Sequence, residues 1–208
     1  AATESADEVA LEQALSELDL TQRLTAVGTM LLAFDAQFAS AGLDRFDLQD
    51  AKLLGFEDVG LLSRSARLIS LNVERDRNFQ SGIFMKGVVE TDRSQWSVDA
   101  AWRHLDGEEG YRLEARFGGL DVQEFLGDQA TADVKSGSTL ELRIVQPFDA
   151  NGAPKDGLMT ATLSGGKLDI GADLQTAMAD TVLNFQVFPA KNQIELAPSM
   201  LRFSDMQA

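Results

Sequence analysis

An alternation of apolar and polar residues with a period of two recurs along most of the sequence. It is clearest in two neighbouring segments, whose apolar positions are Trp96, Val98, Ala100 and Trp102, and then Tyr111, Leu113, Ala115 and Phe117. Successive side chains of a β-strand point to opposite faces of a sheet, so this period predicts strands with one apolar face. Short clusters of Asp, Glu and Gly, such as residues 106–110, separate the segments. Such connections join hairpins and are too short for helical crossovers, which predicts a mostly antiparallel sheet.

The pattern predicts two groups of strands. The first six are centred on residues 30–38, 46–48, 69–73, 83–89, 96–102 and 111–117, and the first of them alternates Met30, Leu32, Phe34, Ala36 and Phe38 with other residues. The second six are centred on residues 140–144, 158–163, 168–170, 183–187, 194–196 and 201–203. The polar stretch 127–137 is the only plausible joint between them, and it is a weak domain boundary. We therefore expect a single β-rich segment over residues 1–208, divided into 1–127 and 128–208, and part of a longer protein.

Two helices are predicted beside the strands. Ser5 and Glu8 have the spacing of a capping box. The apolar residues that follow share one helical face, namely Leu11, Ala14, Leu15 and Leu18. These features predict an amphipathic helix over residues 5–20. Asp121, with Glu124 three residues later, predicts a short helix over residues 121–126, whereas residues 173–180 are either a helical turn or a loop.

The charge of the chain excludes some classes of partner. Lys and Arg number 18 and Asp and Glu number 33, which gives a formal net charge of −15. Most of this surface would repel a nucleic-acid backbone, so we expect no nucleic-acid partner. The chain has no cysteine, which excludes disulfides and thiolate metal sites. No apolar run approaches the roughly 20 residues of a membrane span, so we expect any membrane anchor to lie outside this chain.

One polar motif resembles a calcium-binding loop. Its candidate ligands are Asp149, Asn151 and Asp156. Pro154 occupies the position at which a calcium loop needs glycine, and no glutamate closes the loop. The dipeptide Asn151-Gly152 is better explained as a hairpin turn.

Two other motifs also have simple explanations. His104 is the only histidine, so it cannot form an ordinary zinc site or a Ser-His-Asp triad, and we expect a turn residue. Residues 164–167 resemble a phosphate-binding loop, but they lack its first glycine and its final Ser or Thr, which favours a turn between two strands. We therefore expect no catalytic residues, no metal, no cofactor and no enzymatic activity. A hydrolase with an unlocated carboxylate pair is a third hypothesis.

The apolar face of the predicted sheet is the positive feature of the sequence. One helix of about 15 residues spans only about 22 Å and cannot cover ten or more strands. The sheet therefore either closes on a second sheet as a packed core, or leaves an apolar groove. The candidate groove residues are Trp96, Val98, Trp102, Leu113, Phe117, Leu142, Ile144, Phe185 and Val187.

Several segments, taken in order, resemble the recurring strands of AsmA-like proteins. They are residues 43–53, which end in Asp50-Ala51-Lys52-Leu53, residues 64–76, residues 110–121, and residues 148–152 followed by 163–168. The resemblance covers most of residues 20–205 and rests on the order of degenerate motifs. The family has no catalytic residues to transfer, and we expect its amino-terminal membrane helix to lie outside this chain.

The resemblance implies both a fold and a function. The expected fold is all-β with minor α: a long, curved, mostly antiparallel sheet that forms an apolar groove, with an N-terminal amphipathic helix. The expected role is non-enzymatic lipid transport in outer membrane biogenesis, in which a periplasmic protein anchored to the inner membrane binds phospholipid acyl chains. Protein partners are not identified by the sequence. The alternative from the residues alone is a β-sandwich interaction or adhesion module with a closed core and loop-based binding.

Overall fold

One long helix precedes a large antiparallel sheet. The structure is a computed structural model that describes residues 19–53, 66–76, 82–91, 94–104, 109–121, 139–164, 167–169, 175–177 and 181–200. Nine of its strands form one open, curved sheet, and two short strands form a second sheet. The prediction of an all-β fold with minor helix and antiparallel pairing is confirmed.

The strands follow one another across the large sheet as a meander. They are β1 (Arg45–Leu53), β2 (Ala66–Arg75), β3 (Gly82–Glu90), β4 (Gln95–His104), β5 (Tyr111–Asp121), β6 (Thr139–Phe148), β7 (Gly157–Ser164), β10 (Thr181–Phe188) and β11 (Gln193–Leu196). The second sheet pairs β8 (Lys167–Asp169) with β9 (Gln175–Ala177) and lies in the chain between β7 and β10. A 3₁₀ turn, η1 (Pro189–Lys191), joins β10 to β11.

The helix α1 (Leu20–Ala41) corrects the predicted strand over residues 30–38. Asp19 accepts a hydrogen bond from the Gln22 backbone N–H, and the Gln22 side chain accepts one from the Asp19 N–H, which together form a capping box. The buried residues are Gly28, Leu31, Asp35 and Phe38, which is helical spacing. The alternation from Met30 to Phe38 arose because almost every residue in this stretch is apolar, so a period of two was found by chance.

The prediction that no apolar run approaches the length of a membrane span was also wrong, because α1 is such a run. By length and hydropathy this helix of 22 residues is apolar enough to cross a membrane. Arg23 and Asp35 interrupt its apolar residues, which is why the run was missed. In the structure the helix packs on the sheet through its buried face.

Other predicted elements differ at their ends. Asp121, the predicted cap of a short helix, is the last residue of β5 and pairs with Thr139. Residues 175–177 form a strand rather than a helical turn. The predicted helix over residues 5–18, the remainder of 121–126, the joint at 127–137 and the strand at 201–203 lie outside the described residues.

The helix crosses the strands at one end of the sheet. At its start, the Leu20 N–H donates to Asn192 Oδ1 at 2.9 Å, and the Thr21 hydroxyl donates to the Pro189 carbonyl. Near its other end, Asp35 accepts from the Gly82 N–H at 3.2 Å. A helix of 22 residues is about 33 Å long, and nine strands span about 38 Å. The helix therefore runs along almost the full width of the sheet.

Candidate ligand-binding face

The sheet has one apolar face, which we call the inner face because α1 contacts it. The antiparallel register places these side chains in rows across neighbouring strands. One row contains Ile83, Trp102 and Leu113, and another contains Val98, Phe117 and Leu142. All nine predicted groove residues lie on this face.

The half of the inner face beneath α1 is a packed core, which we call the helix-covered half. Its buried members are Leu31, Phe38, Val73, Ile83, Trp102 and Phe148. Trp102 has no exposed surface; its ring stacks on Tyr111 at 4.9 Å between centroids and lies 5.2 Å from Phe148. Gly28 is required where the helix meets the β6–β7 turn, because a Cβ there would stand 2.3 Å from the Gly152 carbonyl oxygen.

The other half of the inner face, which we call the far half, has a second apolar cluster, and Leu71 packs against both clusters. Its buried members are Ala66, Leu68, Val89, Trp96, Leu120, Leu140, Leu142 and Ala161. Partly buried side chains pack against them, namely Ala51, Leu71, Val98, Phe117, Leu163, Leu183 and Phe185. Within the part of the chain that the structure describes, only strands of the large sheet contribute to this cluster, and α1 does not reach it.

The far half continues to an open edge of the sheet. Leu196 lies opposite Phe185, and Ile194 lies opposite Val187, so both extend the inner face onto β11. Their side chains are 65% and 51% exposed. The partly buried strip from Val98 to Phe185 therefore leads to exposed apolar surface at β11.

The predicted groove residues divide between the two halves. Trp96, Val98, Phe117, Leu142 and Phe185 lie in the far half. Trp102 and Leu113 belong to the helix-covered half: Trp102 is a member of the cluster that includes Leu31 and Phe38 of α1, and Leu113 packs against that cluster. Ile144 and Val187 lie on the same face and belong to neither cluster.

Several residues of the far half were missed because the alternation slips within strands. β5 has an extra residue between Phe117 and Leu120, where Gly119 has a φ of 84°. The register of β2 with β3 shifts between Leu68 and Ser70. The Gly118-Gly119 pair was a signal for the first irregularity, because adjacent glycines in a strand often mark a bulge.

The opposite face of the sheet is polar. Arg116 donates to Glu141 at 2.7 Å, and this hydrogen bond raises the pKa of the Arg116 guanidinium. Arg67 likewise lowers the pKa of Asp50, chiefly through a hydrogen bond. A hollow of about 510 Å³ surrounds Ala101, with walls that include Lys86, Arg103, Glu114 and Arg116. The charged residues that line the hollow are of both signs.

The polar residues singled out in the sequence form a turn, at Asp149, and the end of a strand, at His104. One carboxylate oxygen of Asp149 accepts from the N–H groups of Asn151 and Ala153, both at 2.8 Å, and these bonds lower the Asp149 pKa. The predicted turn at Asn151-Gly152 is confirmed. His104 is the last residue of β4, rather than a turn residue, and contacts the Tyr111 ring edge-on. In the described ranges, no three His, Asp or Glu residues lie close enough to hold a metal ion.

The loop-like motif at residues 164–167 connects two sheets. β7 ends at Ser164 in the large sheet and β8 begins at Lys167 in the small one. No helix follows the motif among residues 167–169 and 175–177, so the arrangement of a phosphate-binding loop is not formed there.

Comparisons with known proteins give no relatives. No family model, no curated protein and no solved structure matches this chain. The proposal of a function therefore rests on the geometry of the inner face.

Proposed function

We propose that the far half of the inner face binds acyl chains of phospholipids. The observation that carries this proposal is the division of one apolar face, in which α1 covers one half while a strip of partly buried side chains in the other half leads, through Phe185, to exposed Leu196. An exposed apolar strip of this kind is typical of a surface that binds an apolar partner. No bond chemistry is involved.

The energetics of such a site favour loose binding. Each methylene that leaves water contributes about 0.8 kcal/mol. The strip is lined by side chains of similar hydrophobicity, such as Val98, Phe117, Leu183 and Phe185. An acyl chain would therefore be held by the apolar surface area that it buries, and it would remain able to slide along the strip.

The biological setting is part of the same proposal. By its resemblance to AsmA-like proteins, the chain would be a segment of a periplasmic protein, anchored to the inner membrane, that conducts phospholipid towards the outer membrane. The polar outer face and the net charge of −15 fit a surface that stays hydrated. The support for this setting is the order of motifs in the sequence.

The burial of Trp96 favours a second candidate, an interaction module with a closed core. Trp96 is 4% exposed and Val89 is 2% exposed, so the deepest part of the far half is already shielded from water. In a closed module the far half would be structural, and binding would occur through loops. The large sheet has no second sheet of similar size among the described residues, where β8 and β9 have three residues each.

Lipid binding by matched variants separates the two candidates. Leu163 and Thr162 are neighbours on β7 that face opposite sides of the sheet. We expect the purified chain to carry phospholipid in native mass spectrometry and to bind a fluorescent fatty acid. Leu163→Asp should abolish this binding while the circular dichroism spectrum is retained, and Thr162→Asp should preserve it. If the parent protein binds no lipid and Leu163→Asp unfolds it, the closed module is correct.

A further inference from the structure

Strand β11 is one edge of the large sheet, so only one of its sides is paired with another described strand. The Ala197 N–H donates to the Asn184 carbonyl at 2.7 Å, which identifies these two residues as a hydrogen-bonded pair of the ladder. Such pairs alternate along an antiparallel ladder with pairs that exchange no hydrogen bond. Ile194 and Leu196 lie in pairs of the second kind, so their N–H and C=O groups point away from β10.

The side chains of this edge are as accessible as its backbone. All four residues of β11 are exposed, and the side chains of Ile194 and Leu196 extend the apolar inner face. Glu195 is the only charged residue of the strand and lies on the polar face of the sheet. An edge strand with free backbone groups and exposed apolar side chains is a template for pairing with another strand.

The opposite edge of the sheet, β1, is protected against such pairing. Its residues include the charged Arg45, Asp47 and Asp50. Asp50 also has a left-handed φ of 59°, which interrupts the extended backbone of the strand. Charged side chains and local irregularities are the devices by which edge strands avoid other chains. β11 has one charged residue and a regular register with β10, so the two edges differ in their capacity to pair.

We propose that β11 pairs with β11 of a second copy of this chain, antiparallel and about a twofold axis at Glu195. In this register Ile194 of each copy lies opposite Leu196 of the other, so the free N–H and C=O groups of both residues find partners across the axis. A second copy supplies this match because a twofold axis brings the same two residues, with the same spacing, to both sides. The inner faces of the two copies then become continuous. The inference does not depend on lipid binding.

Hydrogen bonding selects this register over its neighbours. An axis at Ile194 would place Leu196 opposite Asn192, whose N–H already bonds within its own turn. An axis at Leu196 would place Ile194 opposite Pro198, which has no N–H. The axis at Glu195 satisfies every free group, although it also places two carboxylates opposite each other. Like charges in a cross-strand pair oppose the association, but by less than the hydrogen bonds contribute.

The size and charge of the contact predict a weak dimer. Two strands of four residues give a small interface, and small interfaces are typical of transient complexes. Each copy has a net charge of −15, so the copies repel each other at low salt. We therefore expect association to tighten as the salt concentration rises.

Sedimentation velocity over about 10 µM to 1 mM should show a monomer–dimer equilibrium. Ile194→Pro removes one free N–H from each copy and should weaken the dimer about tenfold or more. The circular dichroism spectrum should be retained, because an edge strand tolerates proline where the N–H is unused. Leu196→Lys should weaken the dimer similarly. Leu158→Lys, at an exposed position on the polar face of β7, is the control and should not.

Two further measurements test the position of the axis. Glu195→Gln removes the facing charges and should strengthen the dimer about threefold, whereas Glu114→Gln, on the central strand β5, makes the same change in net charge and should not. The chain has no cysteine, so a single introduced thiol can be followed alone. Glu195→Cys should form a disulfide-linked dimer, because the two Cα atoms would lie about 4.5 Å apart. Gln193→Cys should not.

Three results would overturn the proposal. If the parent protein stays monomeric at about 1 mM, this edge does not pair with its own copy, and a strand of another protein is the remaining occupant. If Leu158→Lys weakens the dimer as much as Leu196→Lys, the contact is not at β11. If Gln193→Cys crosslinks and Glu195→Cys does not, the axis is not at Glu195. Each result leaves the proposed lipid binding intact.

Discussion

The helix-covered half and the far half of the inner face have similar residues but different surroundings. Each contains a tryptophan of β4 with an unpaired indole N–H, Trp102 in one and Trp96 in the other. In the first, α1 supplies Leu31 and Phe38 as the opposing layer, and the cluster is a two-layer core. In the second, the described residues supply no opposing helix. Apolar alternation alone therefore does not show which part of the face a helix covers; the position of α1 does.

The largest expected effect is on folding. Trp102→Asp would bury an unpaired carboxylate under α1 and cost several kcal/mol, which is enough to unfold a domain of ordinary stability. Phe117→Asp, at a partly buried position of the far half, should leave a folded protein that no longer binds lipid. Urea unfolding followed by circular dichroism would measure both variants. Equal loss of folding would show that the two halves are one closed core.

A smaller effect is expected where the helix docks. Gly28→Val should destabilise the protein by about 1–3 kcal/mol, because the new side chain would collide with the Gly152 carbonyl and Phe148. Ala33→Val, on the exposed side of the same helix, is the control and should change stability by less than about 1 kcal/mol. If the halves are independent, hydrogen exchange should increase around Trp102 in Gly28→Val and remain unchanged around Trp96.

The sheet was predictable from sequence because most of its strands alternate apolar and polar residues with a local period of two. In β3, β4 and β5 the alternating residues fell on one face as expected, since hairpin connections keep neighbouring strands in register. The division of that face was not predictable. The division depends on the position of α1, whose apolar residues also fitted a period of two. It also depends on contacts between residues far apart in the chain, such as the hydrogen bond between Leu20 and Asn192. No local pattern encodes a contact between residues so far apart in the chain.

Quenching of tryptophan fluorescence by an apolar quencher should show how accessible each half of the inner face is to an acyl chain, without destabilising either half. Trp96 and Trp102 are the only tryptophans, so Trp102→Phe and Trp96→Phe each report on one half. A brominated fatty acid should quench most of the emission of Trp96 in the first variant and little of that of Trp102 in the second. Similar quenching of both would mean that the acyl chain also enters beneath the helix.

The smallest expected effect is the acid dependence of the turn under the helix. Hydrogen bonds from the Ala153 and Asn151 N–H groups lower the Asp149 pKa below its usual value of 3.8, and Gly152 of the same turn contacts α1. A group whose folded pKa is lowered stabilises the fold above its unfolded pKa, and that stabilisation is lost as the pH falls through the folded pKa.

Asp149→Ala should therefore lower the melting temperature at pH 7 by a small amount, on the order of 2 °C. The difference from the parent protein should disappear as the pH falls through the folded pKa of Asp149, because the parent carboxylate is then protonated. Asp156→Ala, at an exposed position after the same turn, is the control and should show no such convergence. If the difference between Asp149→Ala and the parent protein does not shrink as the pH is lowered from 7 through the acid range, the carboxylate charge does not hold this turn against the helix.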